Sequence, residues 1–174
     1  MTPQQAISLI EKCVQQKQGT WADIGAGTGT FTLALREILA SGTIYAVDKN
    51  PHALWRLPLQ GEVKTEVVEG DFTKKMEFPM VGGILMANSL HYAADPVAVL
   101  KNVLSHLQPG GTFLLIEYET HTPLLPWIPY PVPFARFQKI AMDSGLSAPV
   151  ALAKVPSGYG HGHIYSASCI WKEK

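Results

Sequence analysis

Three glycines at alternate positions, Gly25, Gly27 and Gly29, follow Asp23 and a short apolar run. Glycine accepts positive φ and carries no Cβ, so such a turn lets a nucleotide-like ligand lie almost against the backbone. Asp48 closes the next apolar run, about 20 residues further on, where a carboxylate can accept both hydroxyl protons of a ribose. A helix-capping aspartate is the plainer reading of the same residue. A second group of reactive side chains lies beyond: Asn88, His91, Tyr92, Glu117, Tyr118, Glu119 and His121. An imidazole titrates near neutrality, so His91 is the candidate base, with Tyr92 beside it. Packing or substrate orientation is the alternative for His91. Glu117 and Glu119 fall on one strand face, and a solvated strand end explains them equally well. His91, Asp95 and His121 match no metal-ligand spacing, so no metal is expected.

The surrounding elements follow from periodicity. Thr2, Pro3 and Gln5 form a capping box for an N-terminal helix within residues 1–18, closed by Gly19. Trp21 to Ile24 reads as a buried strand. Phe31, Ala34, Leu35, Ile38 and Leu39 then trace a helical stripe closed by Gly42. Strands are expected at 43–47, 63–68, 81–87 and 112–118, with a short helix opened by Asn50 and Pro51. Asp95 and Pro96 cap a further helix, and Gln108 to Gly111 reads as a turn. One more helix carries Phe134, Phe137, Ile140 and Ala141. Val150–Val155 and His163–Trp171, joined by a glycine-rich stretch, read as an antiparallel hairpin. Alternating strands and helices predict an α/β, doubly wound, mostly parallel sheet with helices on both faces.

Bulk composition narrows the class. The 174 residues are 47% hydrophobic and 16% charged, which suits one globular domain over residues 1–174. Formal charge is zero, which counts against a nucleic-acid partner. No apolar run reaches the roughly 20 residues of a membrane span. The N-terminus lacks a basic region followed by an apolar stretch, so a cytoplasmic location is expected. Cys13 and Cys169 lie far apart in sequence and read as two buried thiols. A homodimer is left open.

Four ordered segments carry a family resemblance: Asp23-Ile24-Gly25-Ala26-Gly27-Thr28-Gly29, Ala46-Val47-Asp48, Glu69-Gly70-Asp71-Phe72, and Met86 to Tyr92 followed by the Leu107–Gly111 turn. The chain resembles a class I S-adenosylmethionine-dependent methyltransferase over nearly its whole length. The resemblance implies seven strands, the last antiparallel. It also implies S-adenosyl-L-methionine as cofactor, leaving as S-adenosyl-L-homocysteine. Its binding residues would be Asp23, Gly25, Ala26, Gly27, Gly29, Asp48, Lys49, Asp71, Phe72 and Asn88. Asp23 would lie near the ammonium, Asp71 would accept from the adenine amino group, Phe72 would flank the ring, and Asn88 would border the methyl. The family shares no single catalytic residue. A proline-rich insertion at 120–134 falls where such enzymes often place substrate-binding segments. Trp127 and Tyr130 on it, with Tyr118 and His121, are the candidate contacts to a small, fairly apolar acceptor. Loop packing or a dimer contact would explain the segment as well. A dinucleotide enzyme fits less well, because G-x-G-x-x-G/A would need glycine or alanine where Thr30 stands. A non-catalytic cofactor-binding module is the other alternative.

Overall fold

The computed structural model describes residues 1–15, 18–158 and 162–172. Its elements are α1 (Pro3–Ile10), β1 (Gln18–Ile24), α2 (Thr30–Ile38), β2 (Ser41–Asp48), β3 (Val63–Glu69), β4 (Val81–Ala87), α3 (Pro96–Leu104), β5 (Leu107–Tyr118), α4 (Phe134–Asp143), β6 (Val150–Pro156) and β7 (His163–Ile170). Short 3-10 segments follow β2 (Pro51–Arg56) and β4 (Leu90–Tyr92). Among the described residues one sheet forms, in the order β3-β2-β1-β4-β5-β7-β6. The first five of these strands run parallel; β7 runs antiparallel to both β5 and β6. Helices cover both faces, as the strand–helix alternation predicts.

Side-chain alternation divides the core. Trp21, Leu85, Leu114 and Ile116 pack with Ala6, Leu9, Ile10, Phe31 and Leu35 of α1 and α2. Ala22, Ile24, Ile84, Met86, Phe113 and Leu115 pack with α3 and α4 through Val99, Leu100, Val103, Phe137 and Ile140. A strand covered on both faces must be apolar at every position, which is why these segments read as continuous runs. Glu117 is the exception: it shares the Phe113 and Leu115 face and is fully buried.

Three local readings change. The Thr2–Gln5 capping box forms, with reciprocal bonds of 3.2 and 2.9 Å. The helix stops at Ile10, however, well short of residue 18. The chain must turn there, because β1 already pairs with β2 from Gln18↔Ser41 onward, and that ladder satisfies its backbone groups. The expected turn at 108–111 is instead an irregular stretch inside β5. Leu107 pairs with Val81, and the ladder resumes only at Thr112↔Gly83. The 3-10 turn at Leu90–Tyr92 had no signal in the periodicity. Residues 159–161 of the β6–β7 connection, including His161, lie outside the described residues. Cys169 is buried and Cys13 half-buried; both are free, and burial pushes their thiols up to about 12 and about 11. Among the described residues no helix is long and apolar enough to cross a membrane.

The order 3-2-1-4-5 reverses direction between β1 and β4. Connections leave that point on opposite faces, so a crevice opens at the strand C-termini, as in other doubly wound sheets. Ile24, Asp48, Glu69, Ala87 and Tyr118 end their strands along this edge.

Candidate active site

The glycine turn runs from β1 into α2 with all three glycines in the left-handed region, at φ 73, 57 and 83°. Their surroundings differ. A Cβ on Gly25 would lie 2.8 Å from Ser89 Cβ, and one on Gly29 would lie 2.5 Å from Leu57 Cδ1. Gly25 is needed for packing, since Ser89 Cβ is tied to its backbone, whereas the Leu57 methyl is the end of a flexible side chain that can turn away. A Cβ on Gly27 would meet nothing within 4 Å, so Gly27 presents bare backbone to open space. The turn is pinned from β2: Gly25 N and Ala26 N donate to Val47 O at 2.8 and 3.0 Å. Asp48 clasps it as well. Its Oδ2 accepts from Gly27 N and its Oδ1 from Asn50 N, both at 2.8 Å.

Asp23 lies beneath the turn, 1% exposed, with Oδ2 accepting from Thr32 Oγ1 at 2.7 Å. Burial pushes its carboxyl up to about 6, the Thr32 hydrogen bonds oppose this, and the nearby Asp48 charge adds to it. Asp71 sits at the surface end of β3. The Thr73 hydroxyl and amide bond its Oδ1 at 2.6 and 2.9 Å and hold it below the usual carboxylate range, helped by Lys74 and Lys49. Asn102 of α3 fastens this loop by donating to Phe72 O and Lys74 O. The Phe72 ring lies against Gly25, with Cε1 3.4 Å from where a Cβ would stand.

Asn88, immediately after β4, has φ 50°. This is a conformation that few side chains accept, asparagine among them. Its amide donates to Ile116 O at 2.9 Å, while Oδ1 is buried without a hydrogen-bond partner among the described residues. An orphaned buried acceptor costs free energy unless something binds it.

Three residues on, the 3-10 turn buries His91 against the end of β5. His91 Nδ1 lies 2.7 Å from Glu117 Oε2, and the His91 amide donates to Oε1 at 3.1 Å. The Tyr118 amide adds a third donor, to Oε2 at 3.2 Å. With an acceptor-only carboxylate at Glu117, the imidazole proton would sit on Nδ1 and the lone pair on Nε2. The His91 ring also touches Tyr92, at 4.5 Å between centroids. A cavity of about 740 Å³ adjoins His91, walled by Asn88, His91, Tyr92, Tyr118, Leu125 and Trp127 among others. That size suits a small organic ligand.

The crevice therefore gathers most of the residues expected from sequence. The glycine turn, Asp48, Lys49, Asp71, Phe72 and Asn88 lie along one stretch of the strand edge. His91, Tyr92, Tyr118 and Trp127 share the cavity with Asn88. His121 and Tyr130 do not; they line a separate cleft under the prolines, with Arg136. Glu117 is the residue that sequence reasoning misplaced. It is no solvated strand end but the buried partner of His91, 26 residues away. Its signal was a carboxylate inside an otherwise apolar central strand, since a fully buried glutamate is nearly always paired.

A doubly wound sheet closed by an antiparallel pair, with an open glycine turn and a cavity at its strand ends, is the architecture of a ligand-binding α/β enzyme. Residues 22–113 match the model of the methyltransferase domain, more than half of the chain, and the protein belongs to that family. Among curated proteins it is similar to the chloroplastic 2-methyl-6-phytyl-1,4-hydroquinone methyltransferase of Arabidopsis thaliana. The two are 29% identical over 97 residues, 54% of this chain and 28% of that protein. The match thus spans less than a third of that relative's length. Among solved structures, NodS, an N-methyltransferase of Bradyrhizobium japonicum in complex with S-adenosylhomocysteine, superposes with a TM-score of 0.75. It shares 16% identity, over 98% of this chain and 87% of the other. The 1,6-didemethyltoxoflavin-N1-methyltransferase of Burkholderia thailandensis superposes with a TM-score of 0.73 at 19% identity, covering 98% and 78%. A methyltransferase of Aquifex aeolicus gives 0.70 at 18% identity over 98% of both chains. These likenesses establish the class I fold.

Proposed function

We propose that the protein transfers a methyl group from S-adenosylmethionine to a small, largely apolar acceptor held beside His91. The buried His91–Glu117 pair, at the wall of an apolar cavity and three residues from Asn88, carries this reading. The residues present fit the methyl donor. Gly27 offers backbone that no Cβ obstructs, and Asn88 Oδ1 is a buried acceptor awaiting a donor. Asp48 and Asp71 supply carboxylates at the ends of β2 and β3, where ribose and adenine donors would be met. Asp48 keeps unused lone pairs beyond its two backbone bonds. When bound, S-adenosylmethionine supplies a methyl group on a sulfonium, which is already a good leaving group.

Little covalent chemistry is then left to the protein. Its tasks are to align the acceptor, exclude water and, for a protonated acceptor, remove a proton. The cavity walls perform the first two, with Tyr92 and Tyr118 suited to flank a ring. His91 Nε2 takes the proton, and the Glu117 carboxylate stabilises the imidazolium so formed, the division of labour of other histidine–carboxylate pairs. The plant relative is named for a hydroquinone, and a ring hydroxyl is an acceptor group for which such a base is useful. The test is His91→Gln. The expected result is a kcat lowered about 100-fold or more with S-adenosylhomocysteine affinity unchanged. Full turnover in that variant would remove the base. Cofactor binding with no turnover in the wild type, over a panel of phenols, amines and acidic carbon acids, would instead favour the non-catalytic binding module.

A further inference from the structure

Residues 120–135 contain no Asp, Glu, Lys or Arg. The inner side of this segment belongs to the core. Ile128 and Val132 are buried, the Tyr130 amide donates to His91 O at 3.0 Å, and the Tyr165 hydroxyl donates to Val132 O at 2.7 Å. The outer side is left exposed among the described residues. Leu124 and Ile128 exchange two backbone hydrogen bonds of 3.0 and 2.7 Å, which lift a narrow tip between them. On it Leu125 is 77% exposed, Trp127 72% and Leu124 53%. Proline and the bridge hold these side chains out, so they cannot simply fold back onto the core.

The tip is chemically specific. It presents two leucines and a tryptophan, each more than half exposed, on one four-residue stretch. A stable protein interface needs about 800 Å² from each partner, and a narrow protruding tip does not supply it. With no charge in the segment, there is nothing for a charged partner to complement. Leucines beside an interfacial tryptophan are instead the side chains that enter the boundary of a bilayer. The same Leu124, Leu125 and Trp127 line the cavity beside His91, so whatever the tip enters lies at the cavity's mouth.

We infer that the Leu124–Trp127 tip docks the protein onto the surface of a neutral lipid bilayer and sets the mouth of the His91 cavity against the lipid. An apolar acceptor dissolved in the membrane would then enter without crossing water; that consequence rests on the methyl-transfer reading, whereas the docking does not.

The test is flotation of the full chain with phosphatidylcholine vesicles, with S-adenosylhomocysteine affinity measured in parallel by calorimetry. The wild type should float equally at low and high salt, since the contact is uncharged. Leu125→Glu should lower the vesicle partition about tenfold or more. Met142→Glu, at a comparably exposed apolar position on α4 (65%), should leave it unchanged. Brominated phosphatidylcholine should quench wild-type tryptophan emission, and Trp127→Phe should abolish that quenching. Retained cofactor affinity in Leu125→Glu would show that the variant is folded. The inference is overturned if the wild type does not float, or floats only with anionic lipid at low salt. It is equally overturned if the two glutamate variants lose binding alike, or if the wild type is a dimer that Leu125→Glu dissociates. If the wild type binds no S-adenosylhomocysteine, a Leu125→Glu variant that loses docking yet keeps the wild-type cooperative thermal transition would leave the inference standing and sink the methyl-transfer reading.

Discussion

Glu117→Gln separates a catalytic pair from a structural one. The substitution preserves volume and removes the charge. Three N–H donors converge on this carboxylate, from His91 Nδ1, the His91 amide and the Tyr118 amide. A carboxamide has only one acceptor oxygen. If that oxygen takes the Oε2 place, the new NH2 faces the His91 amide. If it takes the Oε1 place, the NH2 faces the Tyr118 amide and His91 Nδ1, which pushes the imidazole proton to Nε2 and removes the lone pair that the proposed proton transfer requires. Either way a buried donor faces a donor, at a cost to stability of about 1–3 kcal/mol. Catalysis loses more specifically. A hydrogen bond to a charged group contributes about 1.5–3 kcal/mol, and the imidazolium formed during proton removal would lose that support. At 1.36 kcal/mol per factor of ten, kcat should fall roughly 10- to 150-fold. Steady-state methyl transfer gives kcat and acceptor KM; calorimetry gives S-adenosylhomocysteine affinity, which should not change because Glu117 lies on the acceptor side. An unchanged kcat accompanied by a lower melting temperature would refute the reasoning and reduce the pair to a structural clamp.

Two further outcomes follow from the cofactor side. Asp23 is raised from 3.8 to about 6 by burial, so the folded chain holds its proton more tightly than the unfolded chain. Stability without ligand should therefore fall as pH rises from about 4 to about 6, and by linkage the loss approaches roughly 3 kcal/mol above that window. Asp23→Asn, which retains an acceptor for Thr32, should abolish this slope in denaturant unfolding between pH 4 and 8; parallel curves for both proteins would contradict it. At the glycine turn, Gly25→Ala should destabilise the fold, because its Cβ would strike Ser89. Gly27→Ala should cost only about 1–2 kcal/mol for its left-handed backbone. Yet it should weaken S-adenosylhomocysteine binding at least about tenfold by filling the cradle. Equal melting temperatures and equal affinities for the two variants would show that the turn does not divide its glycines in this way.

Local chemistry decided much of this protein by itself. Period-2 and period-3.6 apolar patterns specify which face each segment buries, so the alternation of strands and helices, and with it the doubly wound sheet, was legible. The glycine turn at 25–29 was legible too, because its left-handed backbone is a local need that glycine meets. Tertiary structure decided the rest. Helix α1 ends at Ile10 because β1 must pair with β2 from Gln18, a constraint written in residues 41–48 rather than in 3–18. Gly25 and Gly27 look alike in sequence; only Ser89, brought in by β4, makes one a packing glycine and leaves the other open. Tyr130 and His121 share a segment with Trp127, but the path of the prolines turns them into a different cleft. The partnership of His91 and Glu117 depends on β4 and β5 ending side by side. Nothing local to either residue encodes that, since a buried charge selects its partner through the packing that excludes water from both.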